Sequence, residues 1–281
     1  MLPIAFLDVP LLQLALVGTL DGIYGMLKDA FIVQARVIGA LILRETRVRY
    51  GRSKLGYLWA FTGPLVWVVA FTAMHEAIDA VPAYGDNIGL FIALGIIPYR
   101  LYQSLATQCG NAITANIALL NFPIVKELDT IIARGILEVA TFFIIFIVII
   151  LGLILFTGAP LPYDIPKMAE AFLGLCLFGF GIGVVNAVIS EKLPSWMNIF
   201  NMFSLPIFWV SGIFFSLESI PAVIRDILLW NPILHGIEAM RMGYYQNYRG
   251  SYIDLPYLYG LGLFLVLAGL ASERAIRVRS S

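Results

Sequence analysis

Charge is scarce in this sequence. Of its 281 residues only 13% are charged and 60% are hydrophobic, whereas a soluble domain carries about a quarter charged residues and under half apolar ones. The mean hydropathy of +0.89 excludes a soluble enzyme. The 18 basic and 18 acidic residues cancel, so no overall field points to nucleic acid. Cysteine is nearly absent. Cys109 and Cys176 sit in apolar surroundings and read as buried, inert thiols, neither a disulfide framework nor a metal-ligand set. The two histidines, His75 and His235, flank different apolar runs, which excludes a zinc site or a nucleophile–base pair. No G-x-x-x-x-G-K-[ST] motif occurs. Gly51-Arg52-Ser53-Lys54 has the wrong spacing, so ATP is not bound in that way. Acids near membrane depth are limited to Glu76 and Glu138. Proton-coupled carriers use buried acids as relays, so their scarcity weighs against secondary transport.

What is present is apolar length. Six segments, near 55–78, 88–112, 131–157, 169–190, 195–217 and 255–273, each approach or exceed the roughly 20 residues a membrane helix needs. They lack the alternation of barrel strands. The sequence therefore predicts an all-α polytopic membrane protein with six transmembrane helices. An N-terminal amphipathic interfacial helix precedes them, and two short re-entrant or periplasmic helices lie between spans five and six. With the N-terminus inside, 13 basic residues are cytoplasmic and four are external (Lys167, Arg225, Arg241 and Arg249), Arg100 lying within span two. That bias places both termini in the cytoplasm. Residues 1–30 form an apolar extension, interrupted by Asp21, that lies on or near the membrane. In 31–54, Val33, Val37, Leu41 and Ile42 share one helical face while Arg36, Arg44 and Arg47 decorate the other. Residues 55–276 hold the spans.

The connections carry their own helices. Gly110 to Pro123 reads as one short amphipathic cytoplasmic helix ended by Asn121 and Pro123. Between Glu218 and Asp254 two short helices are expected. The first follows Ile220, Val223, Ile224, Ile227 and Leu228, with Pro221 in its first turn; the second is capped by Asn231 with Pro232 at its first position. Arg134 with Glu138, and Glu238 with Arg241, have the spacing of local ion pairs. Gly179 and Gly183 form a small-x-x-x-small packing face.

Polar and aromatic groups make up the remaining chemistry. An aromatic-lined passage suits sugars, whose C–H faces stack on rings while their hydroxyls find side-chain partners; plain packing is the alternative. Arg100, in the middle of span two, costs several kcal/mol if it faces lipid. It either makes an ion pair or carbonyl bonds between helices, or faces the translocation path, where it meets acidic sugars or a lipid-carrier phosphate.

The run from Leu43 to Ala60 holds Arg49-Tyr50, a basic stretch through Lys54, and Leu55-Gly56-Tyr57-Leu58-Trp59 before Pro64. It resembles the approach to the first span of ABC-2 type exporters. Asn231-Pro232 followed by Glu238 and Arg241 resembles their external re-entrant region. The resemblance covers about Arg36 to Arg279 and is strongest to capsular polysaccharide export permeases of the KpsM type, with O-antigen and teichoic acid permeases as near alternatives. It implies a homodimer in the bacterial inner membrane, each copy docked on a separate ATP-binding-cassette ATPase. That ATPase binds ATP and Mg, leaving this chain without a cofactor. The resemblance also implies export of a lipid-linked polysaccharide, with a periplasmic polysaccharide co-polymerase and an outer-membrane export protein as partners. A small-molecule ABC-2 exporter and a secondary carrier are the competing classes. The candidate substrate path is Arg100, Tyr57, Trp59, Phe61, Trp67, Phe71, Trp196, Phe200, Phe203 and Trp209. Arg47, Arg49, Tyr50, Arg52 and Lys54 are candidates for the carrier phosphate or membrane surface. Asn111, Thr114, Asn116, Asn121 and Phe122 are candidates for coupling to the ATPase. Catalytic and metal-ligating residues are not expected.

Overall fold

The computed structural model describes residues 9–51, 58–122 and 124–280. Among the described residues every regular element is helical. The α-helices are α1 (Val9–Tyr50), α2 (Leu58–Ala77), α3 (Ile88–Gly110), α4 (Ala112–Ala115), α5 (Ile117–Leu120), α6 (Glu127–Thr157), α7 (Ile165–Lys192), α8 (Trp196–Trp209), α9 (Ala222–Leu228), α10 (Pro232–Tyr244) and α11 (Leu255–Ser280). Five of them are long and apolar enough to cross a bilayer: α2, α3, α6, α7 and the Leu255–Ala275 part of α11.

Two helices form the centre. α3 is apolar all round as far as Pro98, and most of its residues from Gly89 to Gly110 are buried, as expected of a helix enclosed by others. α7 lies against it through glycine. A Cβ added at Gly183 would stand 2.5 Å from Cys109 Cβ and 2.8 Å from the Leu105 carbonyl oxygen, and one at Gly179 would stand 3.1 Å from Tyr102 Cα. The expected small-residue face is thus where the α3 and α7 backbones approach. Gly174 and Gly181 lie a different way, with added Cβ atoms 2.8 Å from Leu258 Cδ2 and from the Gly262 carbonyl oxygen of α11. One glycine-rich helix is therefore packed tightly on two sides. Both cysteines are buried and free.

The helix ends are fixed by side chains. Asn87 accepts the Leu90 N–H at 2.9 Å, Asp164 accepts the Lys167 N–H at 3.1 Å, and Asn231 accepts the Ile233 N–H at 3.1 Å with Pro232 behind it. These caps satisfy donors the first turn cannot. The Lys167 N–H and ammonium hold the half-buried Asp164 carboxyl below its usual range.

Three expectations are revised. α1 is a single 42-residue helix that continues through residues 30 and 31 without a break; residues 1–8, and the side chains of 9–27, lie outside the description. The Gly110–Pro123 connection forms two single turns, α4 and α5, rather than one helix. At the break the Asn116 side chain donates to the Ala112 carbonyl at 2.9 Å, closing the first turn locally. Pro123 is outside the described residues. The run 195–217 is helical only to Trp209: α8 has 14 residues, about 21 Å at 1.5 Å each, short of the roughly 30 Å hydrocarbon core. Gly212, at φ +77°, turns the chain in a conformation that suits glycine. Asn231 Nδ2 satisfies the Val210 carbonyl at 3.2 Å, and Arg241 takes the carbonyls beyond it.

Candidate functional site: an aromatic wall beside a mid-helix arginine

α2 presents Trp67, Phe71 and His75 at intervals of one helical turn, so their rings stand above one another. Phe208 and Trp209 at the end of α8, with Phe214 beyond it, close against that row. Ring centroids are 5.4 Å apart for Trp67–Phe71, 5.6 Å for Trp67–Phe208, 4.7 Å for Phe71–Phe214 and 6.0 Å for Phe71–Trp209. His75 stacks on Phe214 at 5.5 Å. These separations suit offset and edge-to-face pairs, each contributing about 0.5–1.5 kcal/mol beyond burial.

Arg100 joins this wall from α3. Its guanidinium lies 4.8 Å from the Trp67 ring centre, and its Nη1 donates to Gln103 Oε1 at 3.0 Å. No ion pair to Arg100 occurs among the described residues, and Glu138 is engaged elsewhere. Its neighbour Tyr99 donates to the Ser204 carbonyl at 2.6 Å, tying α3 to α8. Trp67, Tyr99, Arg100, Gln103, Asn201 and Ser204 line a recess of about 90 Å³ between α2, α3 and α8. Arg100 lies twelve residues after the start of α3, about 18 Å along it, roughly half-way down a helix long and apolar enough to span a membrane. A half-buried, unpaired cation there is held by an aromatic face and an amide; cation–π contact contributes roughly 0.5–2 kcal/mol.

The structure brings Arg100, Trp67, Phe71 and Trp209 together. Phe61 and Phe200 pack against the core, Trp59 and Phe203 are exposed, and Tyr57 is outside the described residues. Trp196 stands apart: its indole donates to Asn186 Oδ1 on α7 at 2.9 Å, an anchor for the start of α8. The uncovered faces of α2 and α8 are apolar, with Val66, Val69, Met202 and Leu205 exposed.

The candidate carrier-contact residues divide. Arg52 and Lys54 are outside the described residues, as is the Tyr50 side chain. Arg47 is exposed, while Arg49 turns inward. Its Nη1 bonds Glu138, its Nη2 donates to Gln108 Oε1 at 3.0 Å, and its Nε lies 3.4 Å from Glu45. Arg134 pairs with Glu45 at 2.8 Å, and Ser104 donates to Glu138 at 2.5 Å. The expected Arg134–Glu138 pair is thus replaced by an alternating chain, Arg134–Glu45–Arg49–Glu138. A local helix pair is worth only a few tenths of a kcal/mol; α1 offers each charge a nearer partner and is itself docked onto α3 and α6. Gln34 of α1 also bonds Asp129.

Among the candidate coupling residues, Asn111 donates to the Thr107 carbonyl, and Thr114, Asn121 and Phe122 are exposed. Asn116 is buried and accepts from Arg44 at 2.5 Å, so it links α1 to the α4–α5 turns rather than facing outward.

Arg241 is the functional-looking residue the sequence understated. It is fully buried, and its guanidinium donates to the carbonyls of Gly212 (2.6 Å), Phe215 (3.0 Å), Ile213 (2.7 Å) and Phe91 (3.3 Å), and to Glu238 at 3.2 Å. Glu238 is completed by the Tyr248 hydroxyl at 2.9 Å. Burial pushes the Glu238 carboxyl above its ordinary range, against the pull of Arg241 and Tyr248. This latch fixes the non-helical chain after α8, and with it Phe214 of the wall. In the sequence it was signalled by the i, i+3 spacing of Glu238 and Arg241 and by their place after Asn231-Pro232, neither of which pointed to the carbonyls it binds.

The long apolar helices and the glycine-packed core define a polytopic helical membrane protein. Residues 36–245 match the ABC-2 type transporter family, and the chain belongs to that family. It is 31% identical over 243 residues, 86% of this chain and 92% of the relative, to the capsule polysaccharide export inner-membrane protein BexB of Haemophilus influenzae. It is 31% identical over 258 residues, 89% and 96% of the two chains, to the polysialic acid transport protein KpsM of Escherichia coli. The O-antigen export system permease protein RfbA of Klebsiella pneumoniae is 22% identical over 239 residues, 84% of this chain and 90% of its own length.

Proposed function

We propose that this chain is the membrane-spanning permease of an ATP-binding-cassette exporter that moves a lipid-linked capsular polysaccharide across the bacterial inner membrane. Family membership and the names of its most similar relatives support the reading. The observation that carries it is the aromatic wall with Arg100 at mid-depth, a surface that stacks on sugar rings and meets an acidic sugar or a carrier phosphate. In this reading the chain crosses six times, the broken α8 segment completing the fifth crossing, α9 and α10 lying at the external side, and both termini cytoplasmic. Two copies pair through the uncovered faces of α2 and α8. A separate ATPase binds ATP and Mg and docks near Asn111, Thr114, Asn121 and Phe122. A periplasmic co-polymerase and an outer-membrane export protein carry the polymer onward.

Deletion of the gene should leave capsular polysaccharide inside the cell, and the wild-type gene should restore it to the surface. Complementation with Arg100→Gln and Arg100→Lys should restore assembly with the ATPase but not full export. Normal export by both variants would remove Arg100 from the path, and normal export by the deletion strain would end the reading. An O-antigen exporter is the second reading, favoured by the RfbA relative; accumulation of O-antigen rather than capsule in the deletion strain would select it.

A further inference from the structure

A second recess lies away from the wall and shares no residue with it. Three connections build it: the α2–α3 loop around Tyr84 and Asp86, the α6–α7 loop from Thr157 to Pro160, and the chain after α10 from Tyr245 to Asn247. Its volume is about 380 Å³, within the roughly 300–1,000 Å³ of small-molecule sites. The connections are tied to one another. Asn87 Nδ2 donates to Thr157 Oγ1 at 2.7 Å, and Tyr244 donates to the Pro160 carbonyl at 2.5 Å. The recess is therefore preformed rather than a gap between loose loops.

Tyrosines make its floor. Tyr84 meets Tyr245 and Tyr248 edge-on, at 5.1 and 4.9 Å between ring centres. Tyr248 is fixed by Ser216 and Glu238. Tyr245 is held against Gly85, where an added Cβ would lie 3.0 Å from its ring and 3.5 Å from its hydroxyl. Tyr245 is only 7% exposed, yet its buried hydroxyl has no hydrogen-bond partner among the described residues. A buried polar group without a partner is costly, and here it belongs to a residue that lines a recess. Burial raises its pKa, so the hydroxyl stays a donor at physiological pH. The rim adds the amides of Gln246 and Asn247 and the carboxylate of Asp86, all exposed. No lysine or arginine is among the lining residues.

We infer that this recess is a carbohydrate subsite for a neutral, hydroxyl-bearing sugar unit, which packs on the tyrosine floor and accepts a hydrogen bond from Tyr245. Aromatic floor, amides and one carboxylate supply the stacking faces, donors and acceptors such a unit uses. The absent cation and the Asp86 carboxylate disfavour an anionic sugar. The subsite rests on the export reading, since it would hold one unit of the exported chain on the side of the membrane where α3 begins.

Saturation-transfer NMR on the purified full-length permease tests it, with methyl β-galactoside, N-acetylglucosamine and N-acetylneuraminic acid as probes. At least one neutral sugar should bind and the anionic one should not. Tyr245→Phe keeps the ring and removes only the unpartnered hydroxyl. It should weaken binding about three- to tenfold, the scale of one hydrogen bond, without lowering the thermal midpoint. Asn247→Ala, on the exposed rim, should weaken it as well. No binding of either neutral sugar, equal binding by wild type and Tyr245→Phe, or tighter binding of the anionic probe would each overturn the subsite. Binding to purified protein is independent of export. A deletion strain that still exports would sink the export reading alone, whereas retained polymer with no sugar binding would sink only the subsite.

Discussion

Replacing Arg241 by methionine removes a side chain of similar length and leaves the chain after α8 without its binder. The carbonyls of Gly212, Ile213, Phe215 and Phe91 each lose a donor, and Glu238 is left buried without a cation, held by the Tyr248 hydroxyl and the Leu217 N–H. Each orphaned acceptor costs about 1–3 kcal/mol, less where the chain relaxes toward water. An uncompensated buried charge alone costs about 3–5 kcal/mol. The contributions overlap, so a loss of about 4 kcal/mol is expected. That corresponds to a drop of about 10 °C in midpoint for a chain of this size. Arg241→Met/Glu238→Gln removes the stranded charge and should recover about half of the loss, a coupling a double-mutant cycle reads directly. In Arg241→Met the Glu238 carboxyl, already raised by burial, rises further. Its folded value moves further above the unfolded one, so the deficit is greatest at neutral pH and shrinks as the pH falls and the proton is taken up. Thermal unfolding in detergent at pH 7.5 and 5.5, read by tryptophan fluorescence, measures all three effects. A single variant within 2 °C of wild type at neutral pH, or a double variant no better than the single, would refute the account of the latch.

Packing makes a sharper contrast. Gly183→Ala should destabilise by about 1–3 kcal/mol through overpacking, because its Cβ meets Cys109 Cβ and the Leu105 carbonyl oxygen. Gly152→Ala in α6, with nothing within 4 Å, should be neutral or slightly stabilising; comparison of the two midpoints decides. Glu45→Gln should loosen α1 by about 1–3 kcal/mol as Arg134 and Arg49 lose their shared carboxylate, seen as faster tryptic cleavage at Arg36, Arg44 and Arg47. Asn87→Ala removes the α3 cap and the Thr157 bond and should cost about 1 kcal/mol, read from the same melts.

Features legible in the sequence are those set by spacing within one helix. Asn231-Pro232 capped α10, and Gly179 with Gly183 marked the α3–α7 seam, because a local pattern dictates each. Partners far apart in the chain were hidden. Glu138 is bonded by Arg49, 89 residues earlier, so the local Arg134–Glu138 spacing misled. The acceptors of Arg241 are mostly backbone carbonyls, one of them 150 residues away, and carbonyls carry no sequence signature. Apolar composition could not reveal that α8 stops at Trp209, since the residues beyond it are equally apolar. The arginine that makes a broken helix affordable there lies in another element. For the aromatic wall, the sequence supplied the members without the grouping: Trp67, Phe71 and Trp209 converge, whereas Trp196 serves α7.

The distribution of these ties separates the molecule into parts of different stiffness. α3, α7 and α11 approach through glycine at backbone distance, where the only adjustment available is displacement of whole helices. Buried charge pins α1 to α3 and α6 near one end of the bundle, and the Arg241 latch pins the chain after α8 near the other. α2 meets α8 through rings 5.6–6.0 Å apart and α3 through contacts that include the Trp67 ring under Arg100, and most of its surface lies uncovered. Ring contacts are individually worth about 0.5–1.5 kcal/mol and tolerate several geometries, so α2 can be repacked at lower cost than the glycine seams. Arg100 stands at this boundary: its backbone belongs to the rigid helix, while its guanidinium rests on the Trp67 ring of the compliant one.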